Sequence, residues 1–336
     1  MITSDSDFFI EKDFIIDNNK VSFEYLSKYF KKYNLDNIYF IIDDKSYNIK
    51  RISVLSNFKE ENLNLKPYPH IIIDKVLDEN IYQHLDKTYI SDNDLYEILG
   101  KKRYNRNARY DIRTTTVLEN NKFDSIWKIF SFYHSSEYYV NELRSKFGEK
   151  LFDSMDHFKY KNIKHFRDLT IGIRNSNKKY DIETECQIGI NTPSDINSHV
   201  KGPHIDNLNE VYAGLFYMKQ SKDQGNGGNL EVYKTIEDTN EKNFSFKIKL
   251  ISNKDLNVNG ETYSRKRELD PKLIEKVSNI EYGPNKFVCF LNTINAIHGV
   301  STREKNIVSR RLVNIIGELY YPSSSELFKN RAPGWS

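Results

Sequence analysis

Gly202-Pro203-His204-Ile205-Asp206-Asn207 is the stretch that decides the reading of this chain. Its histidine and aspartate are separated by one residue. On extended backbone, residues i and i+2 point to the same side, so both side chains can reach one ion. A third ligand has to come from elsewhere. The candidate is His298, which follows the apolar run Lys286-Phe287-Val288-Cys289-Phe290-Leu291-Asn292. That run has the length and composition of a buried strand. Alone, a His-x-Asp is common by chance and marks a loop histidine beside a solvated aspartate. Its surroundings decide between the two readings.

Four further features occur in order. A Gly227-Gly228-Asn229-Leu230 turn comes soon after His-x-Asp. A strand ends in Asn292-Thr293 just before the distal histidine. His298-Gly299-Val300 follows, and then the pair Arg310-Arg311 opens another apolar run. Two histidines and one carboxylate on one face of a metal, with the other face open, are the ligand set of non-haem Fe(II) oxygenases. Together these motifs resemble the 2-oxoglutarate/Fe(II)-dependent dioxygenase superfamily, of the prolyl-hydroxylase-like kind. The resemblance spans residues Pro67 to Pro322.

The resemblance implies a mainly β fold with flanking helices (α+β), built on a double-stranded β-helix (jelly-roll or cupin-like) core. It implies His204, Asp206 and His298 as ligands of Fe(II), with 2-oxoglutarate and dioxygen as co-substrates. Oxidative decarboxylation of 2-oxoglutarate to succinate then drives oxidation of the substrate. The distal carboxylate of 2-oxoglutarate calls for a buried arginine, whose planar fork holds a carboxylate through two parallel hydrogen bonds. Arg310 and Arg311 are both candidates, and on a strand they face opposite ways. In the family a small polar residue often follows the cavity-facing arginine by four positions. Asn314 stands so relative to Arg310, which favours Arg310. Tyr217, Asn292 and Asn207 are further candidates for co-substrate contact or for orienting the ligands. Related halogenases replace the carboxylate by Gly or Ala, so Asp206 favours hydroxylation, or another oxidation such as desaturation, over halogenation. His199 lies at an odd offset from the pair and is not expected to ligate.

Composition bounds the rest. With 336 residues the chain can form one large domain, or a large and a small one. Its 50 Lys+Arg against 47 Asp+Glu leave a formal +3, too balanced for a dedicated nucleic-acid binder. One basic run, Lys101 to Arg109, reads as a solvated loop, or else as a patch for an anionic substrate such as a nucleotide-linked sugar. Both cysteines, Cys186 and Cys289, sit in apolar runs, which suggests buried thiols in a reducing, cytoplasmic setting. Residues Met1 to Asp7 carry no basic or apolar signal-peptide pattern, and no long apolar run suggests a membrane span.

Residues 1–65 read as a small N-terminal α/β extension. Val21, Tyr25, Leu26, Tyr29, Phe30 and Tyr33 recur at helical spacing, and Asn37 to Lys50 reads as strand, turn, strand. Lys66-Pro67-Tyr68-Pro69 marks the boundary of a dioxygenase domain over 66–336. That domain opens with a strand, His70 to Asp74, where His70 is read as structural. A helix capped by Asp78 follows, with Ile81, Leu85 and Tyr89 on one face. Residues 120–150 read as helical. In Glu185 to Asn191, Gln187, Gly189 and Asn191 share one face, the mark of either a lined cavity or a water-facing edge strand. Residues 234–283 read as an insertion containing a helix start at Asp270-Pro271.

The substrate stays open among a small or medium metabolite such as a sugar or glycan precursor, a free amino acid, and a protein side chain. Two other classes also stay open. One is a cupin-like, non-oxidative sugar epimerase or isomerase, which would not need the distal arginine. The other is a non-catalytic binding module that keeps the fold.

Overall fold

The computed structural model describes residues 21–320 apart from 33, 103–104, 160–164, 177, 199, 208, 237–255, 259–260, 264–273 and 294. His199 and the Asp270-Pro271 helix start lie outside the described residues.

The N-terminal part begins with helix α1 (Phe23–Lys32) and a hairpin of β1 (Tyr39–Ile42) and β2 (Lys45–Asn48). The hairpin turn uses Asp43 and Asp44, both at positive φ. Phe30 of α1 meets Phe132 edge-on at 5.0 Å, so this part shares one apolar cluster with the helices that follow.

Beyond it come β3 (Leu63–Asn64), β4 (His70–Asp74), α2 (Glu79–Lys87), α3 (Asp92–Leu99), β5 (Arg109–Ile112), α4 (Thr114–Glu119), α5 (Ser125–His134) and α6 (Glu137–Phe147). Asp78 caps α2 by accepting from the Asn80 amide, as its sequence position predicts. The helical stretch expected at 120–150 is two helices. Asp124 caps α5 through the Ile126 amide, and Ser135-Ser136 break the chain before α6. Every residue of α5 is buried, Lys128 and His134 included, because the helix lies between the sheet and the outer helices.

The remaining strands are β6 (Ile171–Ile173), β7 (Ile182–Asn191), β8 (Glu210–Tyr217), β9 (Leu230–Thr235), β10 (Leu256–Val258), β11 (Glu261–Tyr263), β12 (Ile274–Ile280), β13 (Lys286–Leu291), β14 (His298–Val300) and β15 (Arg310–Leu319). The large sheet has the order β3-β4-β13-β8-β15-β7-β5, with β6 parallel to β7. The small sheet has the order β12-β9-β14. The segment around His204 extends the small sheet: His204 N–H donates to His298 O at 2.7 Å, and His298 N–H to His204 O at 2.9 Å. Ser198 with Arg303 and Ser194 with Asn306 continue that pairing.

Strand periodicity sorts the core. On β15, Val313 and Ile315 join the cluster under the helices, while Leu312 and Ile316 face the small sheet. On β13, Phe287 and Cys289 take the helix side, and Val288 and Phe290 the other. Each fully buried aliphatic or aromatic side chain contributes roughly 1.5–3 kcal/mol. Register is therefore strongly specified, because a one-residue slip would exchange the two faces. Both cysteines are buried free thiols. Among the described residues no helix is long and apolar enough to cross a membrane.

Candidate metal centre

Pairing of the His204 segment with β14 places two imidazoles side by side, with ring centroids 4.3 Å apart. Each ring is oriented from behind. His204 Nδ1 is 2.7 Å from Gly202 O, and His298 Nδ1 is 2.9 Å from Ala296 O. A carbonyl can only accept, so both Nδ1 atoms carry the proton and donate. The Nε2 atoms are thereby turned inward with their lone pairs. Asp206 lies opposite: Oδ1 is 3.2 Å from His204 Nε2, and Oδ2 is 3.3 Å from His298 Nε2. One ligand atom from each residue falls within 4.8 Å of the other two. Three acceptors converging on one point, with the ring protons committed elsewhere, repel one another unless a cation sits between them. Burial, and then the neighbouring His298 ring, pushes His204 down to about 4. Burial works against ionisation of Asp206, but positive charge at the two imidazoles, His298 foremost, outweighs it and holds the carboxyl well below its usual range.

The three residues open onto a cavity of about 230 Å³ between the two sheets. Arg310, Tyr217, Asn191 and Asn314 line it from the large sheet, and Leu230, His298 and Val300 from the small one. Of the five residues named for co-substrate contact or for orienting the ligands, the structure brings two, Arg310 and Tyr217, to this cavity. Arg310 is 4% exposed, and its guanidinium stacks on Tyr282 at 4.3 Å and Tyr217 at 5.0 Å. Its Nε is buried without a hydrogen-bond partner. Gly228, at φ +70, leaves the space beside it: a Cβ there would stand 3.4 Å from Arg310 Nη1.

Arg311 and Asn292 do not line the cavity. Arg311 takes the other face of β15, ion-paired with Asp86 at 3.1 Å and stacked on Tyr89. Asn292 is fully buried, but its amide donates to Asn207 O and Glu210 O, tying the turn after β13 to the entry of β8. Asn207 is exposed and enters the site through that carbonyl. His70 has the structural role expected of it, with Nδ1 on Tyr68 O at 2.8 Å.

The polar row of β7 faces the hollow, with β15 on one side and β5 on the other. Asn191 lines the cavity, and Gln187 accepts from the lining Asn314 at 3.1 Å. Other lining residues carried no distinguishing sequence signal. Lys201 Nζ lies 3.8 Å from Asp206, and burial lowers its pKa. Burial, reinforced by Asp206, raises the Glu210 carboxyl well above its usual range. Tyr282, in a stretch read as insertion, supplies the nearer of the two rings against Arg310, edge-on to Tyr217.

No protein-family model matches the sequence, and no curated protein matches it significantly. Among solved structures the chain is similar to a Pseudomonas putida prolyl-4-hydroxylase, with a TM-score of 0.39 and 10% identity over 81% of this chain and 100% of that one. It is also similar to a Trichoplax adhaerens prolyl hydroxylase in complex with a hypoxia inducible factor peptide fragment, with a TM-score of 0.42 and 13% identity over 82% of this chain and 94% of that one. A third similarity is to prolyl 4-hydroxylases from Phytophthora capsici, with a TM-score of 0.41 and 12% identity over 89% of this chain and 72% of that one.

Proposed function

We propose that this chain is an Fe(II)- and 2-oxoglutarate-dependent oxygenase that hydroxylates a small or medium-sized metabolite. The observation that carries the reading is the convergence of His204 Nε2, His298 Nε2 and an Asp206 oxygen within 4.8 Å, with both ring protons held behind them. Neutral imidazoles and a carboxylate suit a ferrous ion. The partnerless Nε of buried Arg310 suits a carboxylate from a ligand. We read the two facing sheets as a double-stranded β-helix over 66–336, with residues 1–65 as its N-terminal extension. Two buried free thiols support a reducing, cytoplasmic setting.

When bound, iron and 2-oxoglutarate supply the activation of dioxygen and the electrons for its reduction. The protein's part is positioning. Gly202 O and Ala296 O keep the two rings in the ligating tautomer. Arg310 holds the distal carboxylate of 2-oxoglutarate, and contacts with the Tyr217 and Tyr282 rings hold its guanidinium in place. Leu312, Leu230 and Phe290 keep water from the chamber. Asp206 keeps the carboxylate that related halogenases replace by Gly or Ala, which supports hydroxylation over halogenation.

The test is succinate formation from 2-oxoglutarate with added Fe(II), in the wild type and in His204→Ala. Turnover by the wild type alone is expected. Equal turnover in both proteins removes the metal assignment.

A further inference from the structure

A second basic corner of the same cavity has no task in the reading above. β15, β7 and β5 are neighbours, and their registers set Arg310, Asn191 and Arg109 directly across from one another. Strands in a sheet are about 4.8 Å apart, so the two arginine backbones stand about 10 Å apart, with Asn191 between them. The two side chains thus leave the same wall of the hollow from strands on either side of β7.

Arg109 is held for a purpose its own neighbours do not exhaust. Its Nε donates to Asp111 Oδ2 at 2.7 Å, which leaves the far edge of the fork. The Nη2 atom there is buried and has no hydrogen-bond partner. Beside it Asn191 is 2% exposed, and its Nδ2 is also buried without a partner. Both residues line the cavity. Room for the Asp111 brace exists because position 189 is glycine: a Cβ there would lie 2.1 Å from Asp111 Oδ1. Buried donors left unmatched in a native site are costly, by about 1–3 kcal/mol each. An acceptor from a ligand relieves both. Lys201 lines the same cavity and adds a further basic group.

We infer that Arg109 and Asn191 bind an oxyanion of the primary substrate, a carboxylate or a phosphate ester, while Arg310 takes the co-substrate. The inference rests on the proposed function for the identity of that co-substrate. It narrows the substrate to an acid whose anionic group lies two strands along the same wall of the cavity from Arg310.

The experiment uses the whole chain loaded with Mn(II) and saturating 2-oxoglutarate. Acetate and methyl phosphate are titrated separately, and binding is followed by the rise in Tm, as a ligand specific for the folded state requires. One of the two is expected to stabilise the wild type, which also identifies the anion class. Arg109→Gln should weaken that binding about tenfold or more, Arg109→Lys should recover part of it, and 2-oxoglutarate affinity should stay within about twofold. Asn191→Asp, nearly isosteric, should abolish it by turning a carboxylate toward the anion, and serves if Arg109→Gln does not fold. The inference is overturned if neither anion stabilises the wild type, if Arg109→Gln responds as the wild type does, or if it loses 2-oxoglutarate binding. Absence of any 2-oxoglutarate response in the wild type would instead remove the preceding reading. The Arg109 comparison on metal-free protein then still decides the anion site.

Discussion

Replacing Arg310 by Met should have opposite consequences for stability and for binding. In the unliganded protein the guanidinium is buried and forms no ion pair among the described residues. Its compensation is stacking on Tyr217 and Tyr282, worth about 0.5–2 kcal/mol per contact. Against that stands the desolvation of a buried cation, several kcal/mol even after relaxation. Methionine keeps the stem and its apolar contacts without the charge. Arg310→Met should therefore unfold at the wild-type urea midpoint or above it. With 2-oxoglutarate the balance reverses. Truncating one partner of a buried, hydrogen-bonded charge pair costs about 2–5 kcal/mol, which is a loss of affinity of roughly thirtyfold to several thousandfold. The assay is ligand-induced stabilisation with Mn(II) replacing iron, so that no turnover intervenes. At 2-oxoglutarate a hundred times the wild-type Kd, the wild type gains about 2.7 kcal/mol, and a variant weakened a hundredfold gains only about 0.4 kcal/mol. Wild-type affinity in Arg310→Met would refute the argument and move the distal carboxylate elsewhere, with Arg109 as the first place to look. A loss of more than about 3 kcal/mol in the unliganded protein would show that the cation has a partner of its own.

Asp206→Asn keeps the shape of the ligand and removes its charge, so the variant should fold but retain no iron after anaerobic desalting, as metal analysis would show. Arg311→Gln should leave 2-oxoglutarate affinity unchanged and cost about 1 kcal/mol in urea unfolding, because its Asp86 pair is partly exposed. Gly227→Ala should cost about 2 kcal/mol or more, measured the same way. Its φ is +78, and a Cβ would stand 1.9 Å from Thr302 O. Glu142 provides a pH prediction. Burial raises its pKa above 4.5, although Ser53 and Tyr133 donate to it. A carboxyl with a raised folded pKa contributes stability below its unfolded pKa and loses it as pH rises through the folded value. Tm of the wild type should therefore fall, relative to Glu142→Gln, as pH rises from about 4.5 towards neutrality. A constant difference between the two proteins across that window would show that burial does not shift this group.

What could be read in advance was what depends on parity along a strand. His204 and Asp206 share a side because one residue separates them, and β13 and β15 alternate between two apolar surroundings. Parity cannot say which side is which. Arg310 and Arg311 must face apart, yet only the placement of β15 between β8 and β7 turns the first toward Tyr282 and the second toward Asp86. The same limit explains Asn292. A polar residue ending a buried strand next to the distal histidine looks like a cavity group, but its amide meets two carbonyls from a segment more than eighty positions earlier. It also explains the basic run. Nothing in Lys101 to Arg109 separates the last residue from its neighbours, and only the pairing of β5 with β7 lays Arg109 beside Asn191. The candidate ligands were legible because metal coordination would impose a local spacing. Groups that meet only through tertiary pairing, such as Arg109 and Asn191, leave no comparable mark, so that corner of the cavity is the part the sequence conceals.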